Sequence, residues 1–274
     1  MPCLWVVFAI VVRGDNMLLA MDIGNTGITL GLFDDDKLGP HWRLASDNER
    51  TSDEYGILIT QLLERAGIST GDVCGVRGVA IASVAPALTD VLARACRDYL
   101  RVDPLVVDAG ARTGIPLRYE DPRQIGADRV VNAVAVRLLY KGPACIVDFG
   151  TATSFDALSA DGEYMGGAIA PGIGVAADAL FRRTAKLPRV DLRRPPSVIG
   201  RNTVNSLQSG LLYGYVGLVE GMVRRFRAEL GPEMKTIGTG AMVELIAGET
   251  DVIDIVNPWL ALEGLKIIFE LNRS

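Results

Sequence analysis

In two stretches of the chain, an apolar run ends at an aspartate, and a turn of glycine and hydroxyl residues follows. Asp22 precedes the turn 24–26, and Asp148 precedes the turn 150–153. Glycine lets several backbone N–H groups approach a phosphate without a clashing side chain. Because like charges repel, Asp22 would hold a hydrated magnesium ion and Asp148 would lie beside a cation. Either turn alone also suits an ordinary hairpin, but their repetition favours a phosphate site.

A second candidate group begins a predicted helix, where Gly126, Ala127, Asp128 and Arg129 follow one another. The carboxylate could accept a hydroxyl proton, and the arginine could bind an acidic substrate or a developing phosphate charge. Alternatively, Asp128 serves only the helix dipole and Arg129 is solvated. The residues by themselves leave both interpretations open.

Composition and motif spacing argue against several other kinds of chemistry. The single histidine, His41, argues against a histidine triad or a zinc centre, and we interpret it as a surface or packing residue. The chain lacks the GxxxxGK[ST] phosphate loop. A GxGxxA pattern at 172–177 lacks a clear preceding strand and a ribose-binding acid, which argues against a dinucleotide site. The net charge of −5 argues against a nucleic-acid partner.

Cysteine usage and the N-terminal stretch bear on the compartment. The four cysteines, Cys3, Cys74, Cys96 and Cys145, form no CxxC pair, which predicts buried thiols in a reducing cytoplasm. The apolar run 4–12 is too short to span a bilayer and lacks a basic flank, so no membrane partner is expected. Residues 1–16 are interpreted as an N-terminal extension outside the fold.

Strand and helix periodicity alternate along the rest of the chain, and the pattern that starts at Met17 starts again at Ala144. This repetition predicts two similar halves, 17–141 and 142–274, each with a mainly parallel sheet covered by helices. The predicted strands span 17–21, 28–33, 42–45, 79–84, 105–108, 145–147, 154–158, 235–237 and 252–256. The predicted helices span 53–66, 88–100, 127–140, 175–185, 204–230 and 258–271.

The predicted helix 204–230 carries four glycines, which lower helix stability unless another backbone packs against them. They are Gly210, Gly214, Gly217 and Gly221. Two explanations are open at this point, internal helix packing and a contact between two copies of the chain.

Six motifs, in order, resemble those of the type III pantothenate kinase family. They are DIGNT at 22–26, GADR at 126–129, DFGTAT at 148–153, GGAIAPGI at 166–173, RTAKLP at 183–188 and NTVNSLQSG at 202–210. The chain departs from the family pattern at Gly27 and Ile28, and at Ala241. The resemblance implies an α/β, duplicated actin-like (ribonuclease H-like) two-domain fold with an ATP cleft between the halves.

The resemblance also implies an activity, the ATP-dependent phosphorylation of pantothenate that begins coenzyme A biosynthesis. Asp128 matches the family's proton acceptor, and Asp148 matches its ligand for potassium or ammonium. The positions that match ATP-binding residues are Asp22, Ile23, Gly24, Asn25, Thr26, Gly27, Ile28, Thr29 and Thr151. The positions that match pantothenate-binding residues are Tyr119, Gly126, Ala127, Asp128, Arg129 and Thr203. The family further implies magnesium with ATP and a homodimer with the substrate site at its interface.

Two other functions fit the same scaffold. One is a regulatory or transcriptional accessory protein, and the other is a different small-molecule kinase. Because Asp22, Asp128 and Asp148 are all present, the sequence favours an enzyme over a regulator.

Overall fold

A computed structural model of the chain describes residues 17–70, 75–108 and 110–273. The expectations for residues 1–16, including Cys3, and for Cys74 therefore lie outside the described residues. The chain divides into two compact units between Val107 and Asp108.

The first unit is built on a five-stranded sheet with the order β3-β2-β1-β4-β5. β1 pairs antiparallel with β2 and parallel with β4, so the sheet is mixed. The strands are β1 Met17–Ile23, β2 Gly27–Asp34, β3 Lys37–Ala45, β4 Val76–Ser83 and β5 Leu105–Val106. The helices are α1 Ser52–Arg65 and α2 Pro86–Ala95, the latter continued by a π-helical turn, Cys96–Leu100.

Local sequence explains where these elements begin. β1 is apolar almost throughout because it is the central strand and is buried on both faces. α1 begins with a capping box, in which the Glu54 N–H donates to Thr51 Oγ1 and the Thr51 N–H donates to Glu54 Oε2. The aliphatic and aromatic face of α1, including Tyr55 and Leu63, then packs into the core of this unit.

The second unit repeats this arrangement with the order β8-β7-β6-β9-β10. β6 pairs antiparallel with β7 and parallel with β9, as β1 does with β2 and β4. The strands are β6 Ala144–Phe149, β7 Ala152–Leu158, β8 Tyr164–Pro171, β9 Lys235–Thr239 and β10 Ile255–Val256. The helices are α3 Ala127–Leu139, α4 Ile173–Arg183, α5 Thr203–Leu230, α6 Val243–Ala247 and α7 Leu260–Asn272, with a 3-10 turn at Pro122–Gln124. The repeated order confirms the predicted duplicated, actin-like α/β fold.

Several boundaries differ from the sequence expectation. The sheets are mixed rather than mainly parallel, and β8 and α6 were not predicted. β8 was missed because its glycines at 166–167 are typical of a loop. The segment 108–141 was expected with the N-terminal half, but it groups with the second unit because α3 packs on α7, β6 and β7.

Close packing among the described residues does not explain three of the four glycines of α5. A Cβ built on Gly210, Gly214 or Gly217 would meet no atom of the described residues within 4 Å. These three positions are exposed. Within the described residues, no helix combines the length and apolar composition needed to cross a bilayer.

Candidate functional site

One face of the second sheet carries an unusual number of polar side chains. Asp148 of β6 is the cross-strand partner of Ser154 of β7, and Asp156 follows two residues later. Cross-strand partners and alternate residues of a strand point to the same face, so these three side chains share it. α3 packs over this face, and its first two turns contribute Asp128, Arg129 and Asn132.

Arg129 and Asp156 form a buried ion pair between α3 and β7. Arg129 Nε and Nη2 lie 2.8 Å and 2.6 Å from Asp156 Oδ1. The same oxygen accepts from the Tyr164 hydroxyl at 2.8 Å, and Asp156 Oδ2 accepts from Ser154 Oγ at 3.2 Å. Arg129 is 8% exposed and Asp156 is 0% exposed. Each charge therefore depends on the other for its burial.

Two glycines of β8 lie where side chains would meet the Arg129 guanidinium or the Tyr119 ring. Gly167 lies opposite Asp156, and a Cβ there would fall 2.9 Å from Arg129 Nη2 and also collide with the Phe155 carbonyl. Gly166, with a φ of +107°, adopts a conformation that residues with a side chain rarely take. The ring of Tyr119 lies beside it, 6.2 Å from the ring of Tyr164.

Asp148 lies among groups of its own charge. Its pKa is raised to about 7, first by burial and then by the negative charges of Asp128 and Asp156, against a hydrogen bond from Asn132. Asn132 Nδ2 donates to Asp148 Oδ2 at 3.1 Å. The other end of this amide, Oδ1, is buried without a hydrogen-bond partner among the described residues. An unpaired amide oxygen beside an uncompensated carboxylate suits a small cation.

Asp128 lies in the first turn of α3, whose N-cap is Gly126. Its Oδ1 accepts a hydrogen bond from the Arg129 backbone N–H at 2.8 Å. Burial raises the pKa of Asp128 above that of an ordinary aspartate, while the charge of Arg129 acts in the opposite direction. A carboxylate with a raised pKa is a stronger base once it is ionised.

In the first unit, the predicted phosphate turn joins β1 to β2. The Gly24 N–H donates to the Gly27 carbonyl at 3.0 Å, and Ser46 Oγ donates to the Gly24 carbonyl at 2.6 Å. Ile23 and Ile28 are fully buried, so neither side chain can contact a nucleotide. A Cβ on Gly27 would lie 2.9 Å from Nε of Arg43, which places that guanidinium over the turn.

The remaining predicted residues lie at exposed turns and helix ends of the second unit. Thr151 is exposed between β6 and β7, and its carbonyl accepts from the Gly172 N–H at 3.0 Å. Thr203 is the exposed first residue of α5. Among the described residues, Thr203 forms no hydrogen bond or ion pair with Asp128 or Arg129. In the same part of the chain, no group of three or more acidic, histidine or cysteine side chains could hold a metal.

The structure brings Asp128, Arg129 and Asp148 to one sheet face and places Tyr119 at its side. Asn132, Asp156 and Tyr164 are candidate functional residues that were not predicted from the sequence. A signal for Asp156 was available, because an aspartate inside an apolar strand, as in SFDAL at 154–158, requires a buried partner. Asn132 follows Asp128 by one helical turn and therefore lies on the same side of α3.

Known proteins match both the sequence and the fold. The family model described as type III pantothenate kinase matches residues 18–225. A type III pantothenate kinase from Moorella thermoacetica is 54% identical over 93% of this chain and 100% of that protein. One from Roseiflexus is 50% identical over 94% of this chain and 100% of that protein.

Two solved structures share the fold at low identity. A Campylobacter jejuni protein described as belonging to the Baf family of transcriptional activators has a TM-score of 0.56 at 20% identity, covering 93% of this chain and 98% of that one. The ethanolamine utilization protein EutJ from Carboxydothermus hydrogenoformans has a TM-score of 0.53 at 11% identity, covering 92% of this chain and 89% of that one. At these identities the likeness concerns the fold alone. From its sequence, the chain belongs to the type III pantothenate kinase family.

Proposed function

We propose that this kinase transfers the γ-phosphate of ATP to the primary hydroxyl of pantothenate, the first step of coenzyme A biosynthesis, with Asp128 as the proton acceptor. The observation that carries this assignment is the position of Asp128, half-buried in the first turn of α3, next to Arg129 and beside the sheet face that holds Asp148. Its pKa is raised by burial, as expected of a carboxylate used as a base.

The reaction requires one bond to form and one to break. The hydroxyl oxygen of pantothenate bonds to the γ-phosphorus, the bond from that phosphorus to the bridging oxygen breaks, and ADP leaves with the electron pair. Asp128 accepts the hydroxyl proton. Because the transition state of phosphoryl transfer is loose, the protein acts mainly by positioning the two reactants and by balancing charge.

ATP is used with a divalent metal, as in other kinases. We assign its phosphates to backbone N–H groups of the turn in Asp22–Thr29 and to Thr151. Asp22 holds magnesium through water in this assignment. The support is the tight turn closed by the Gly24 to Gly27 hydrogen bond, which leaves Asn25 and Thr26 exposed.

Asp148 is proposed as the ligand of a monovalent cation, potassium or ammonium. When bound, this ion supplies a positive charge that offsets the three carboxylates of the sheet face. The raised pKa of Asp148 and the unpaired Asn132 Oδ1 beside it support the assignment.

Pantothenate is assigned to Tyr119, to the helix start at 126–129, and to Thr203. We further propose a homodimer in which the substrate site lies at the interface. The exposed glycines of α5, which begins at Thr203, support that arrangement. Free, buried thiols at Cys96 and Cys145 support a cytoplasmic setting. A regulatory role on the same fold stays an alternative, and the assay below separates it from the kinase.

A coupled assay of ADP release tests the proposal. Wild-type protein with Mg-ATP should release ADP only when pantothenate is added, and faster with potassium than with sodium. Asp128→Asn should lower kcat by about 10²- to 10⁴-fold, because it removes the base. ATP binding, followed by calorimetry, should survive.

The matched control is Asp161→Asn, an exposed carboxylate in the turn between β7 and β8, which should keep wild-type kcat. Full activity of the Asp128 variant would overturn the assignment of the base. Absence of pantothenate-dependent ADP release from the wild type would favour another acceptor, tested with acetate and sugars, or the regulator.

A further inference from the structure

Asp156 holds one edge of the Arg129 guanidinium and leaves the opposite edge outside the ion pair. Its hydrogen bonds to Asp156 use Nε and Nη2, so Nη1 is not part of the ion pair. The guanidinium carbon lies 5.8 Å from the centroid of the Tyr164 ring, which limits rotation of the group on a second side. Gly167 and the sheet backbone close the third side.

Asp156 has no exposed surface and cannot itself touch a ligand. It is 0% exposed, and it accepts hydrogen bonds from Arg129, Tyr164 and Ser154. Three donors from three different parts of the unit, α3, β8 and β7, therefore fix the carboxylate. A carboxylate fixed in this way determines the orientation of the arginine that it binds.

The ion pair also changes how Arg129 can interact with a ligand. Because Asp156 compensates its charge, Arg129 adds little net positive charge to a face that already holds Asp128 and Asp148. Its contribution is therefore a directed N–H donor rather than an electrostatic attraction. Directed donors act mainly on how a substrate is bound and aligned.

We propose that Asp156 is a positioning residue for substrate recognition. Together with Tyr164 and Ser154 it fixes the Arg129 guanidinium so that its free edge donates to pantothenate. This inference rests on the proposed function, since it takes pantothenate as the ligand of Arg129. It adds three residues, Ser154, Asp156 and Tyr164, that act through Arg129 and never contact the substrate.

Asp156→Asn tests this role with the smallest change of shape. The amide still accepts from Arg129 but no longer compensates its charge or accepts from all three donors. The Michaelis constant for pantothenate should rise about 10- to 100-fold, while that for ATP and kcat change by less than about threefold. A destabilised fold alone would not separate the two substrates in this way.

The matched control is Asp254→Asn. Asp254 also pairs with an arginine, Arg227, at 3.6 Å, but it lies next to β10 at the far edge of the same sheet. This variant should keep both Michaelis constants of the wild type. Thermal unfolding of both variants reports whether the fold is retained.

A double-variant cycle shows whether Asp156 acts through Arg129. Arg129→Lys alone should raise the Michaelis constant for pantothenate about as much as Asp156→Asn. The Michaelis constant of the combined variant should exceed that of the more impaired single variant by no more than about threefold. The reason is that both changes remove the same interaction. Effects that multiply would mean that Asp156 acts independently of Arg129 and would overturn the inference.

If Asp156→Asn does not fold, Tyr164→Phe takes its place in the same cycle. This variant removes one donor to Asp156 and keeps the ring, so a rise of about two- to fivefold is expected. An unchanged Michaelis constant in folded Asp156→Asn, or in Tyr164→Phe where it is the substitute, would reject the positioning role. Equal rises in the Michaelis constants for ATP and pantothenate would also reject the positioning role. Loss of pantothenate-dependent ADP release in the wild type would instead reject the proposed function.

Discussion

Three carboxylates on one sheet face have different surroundings, and these surroundings suggest different roles. Asp156 is paired with Arg129 and has no exposure. Asp148 faces an amide and two like charges, so its ionised form lacks compensation. Asp128 lies half-buried in the first turn of α3. We therefore assign positioning to the first, cation binding to the second and proton transfer to the third.

The raised pKa of Asp148 predicts a pH dependence of stability. A folded-state pKa of about 7, against an ordinary value of 3.8 for aspartate, means that the proton stabilises the fold. That contribution is fully present below the unfolded pKa and is lost as pH rises through about 7. Relative to wild type, Asp148→Asn should therefore gain about 2 kcal/mol in free energy of unfolding between pH 5 and pH 8.

Urea unfolding in a buffer with tetramethylammonium as the only cation measures this difference. Replacing tetramethylammonium by potassium should stabilise the wild type at pH 8 and leave Asp148→Asn unchanged, because the cation requires the ionised carboxylate. A difference that is the same at both pH values would contradict the assignment. Asp161→Asn, an exposed carboxylate, provides the baseline.

At the scale of elements, the β1–β2 hairpin and its neighbour β3 build the turn assigned to ATP. Thr29 of β2 pairs with Arg43 of β3, which brings the arginine beside the turn. Gly27 has no positive φ, so its lack of a side chain is not required by the backbone. It is required by the Arg43 guanidinium that lies over it.

Gly27→Ala should therefore weaken ATP binding specifically. The new Cβ, 2.9 Å from Arg43 Nε, would displace the guanidinium from the turn. We expect the Michaelis constant for ATP to rise about three- to tenfold and that for pantothenate to stay unchanged. Steady-state kinetics with each substrate varied measures both. Gly39→Ala in the same hairpin, where a Cβ meets only the Leu32 carbonyl at 3.4 Å, should leave both constants unchanged.

At the scale of the whole molecule, α5 presents a row of small residues that no other part of the described chain covers. Gly210, Gly214 and Gly217 are exposed, and a Cβ on each would meet open space in the described part of the chain. Glycine in a helix costs about 1 kcal/mol relative to alanine, so this row is unfavourable for an isolated subunit. The proposed homodimer, with a second copy packed against this row, would explain why the cost is tolerated.

Gly214→Leu tests the homodimer. Leucine is the better helix former, so the variant should be folded and at least as helical as the wild type. Its bulk should nevertheless block close approach of a second α5 and give a monomer in light scattering coupled to size exclusion. If the substrate site needs both subunits, pantothenate turnover should fall when the dimer is lost. Glu229→Leu, about four turns further along the same helix, should remain a dimer, and a dimeric Gly214→Leu would contradict the interface.

The sequence by itself determined the repeated α/β pattern, the two aspartate turns and the helix start at Asp128. These features are local: strand and helix periods, turn residues and motif spacing are all read within a few neighbouring residues. The repetition predicted two similar halves, and the two five-stranded sheets of the same order confirm this duplication, but the mixed strand directions and β8 were not predicted.

Only the tertiary structure decided which side chains meet. Strand β8 was not predicted because it contains glycines. The Arg129 guanidinium and the Tyr119 ring occupy the space that side chains at these glycines would need. The Arg129–Asp156 pair joins residues 27 positions apart through the register of β7 against β6 and the packing of α3. The pKa of Asp148 depends on burial and on charges from two other elements. Burial and long-range pairing are properties of the packed molecule, so no local pattern could have supplied them.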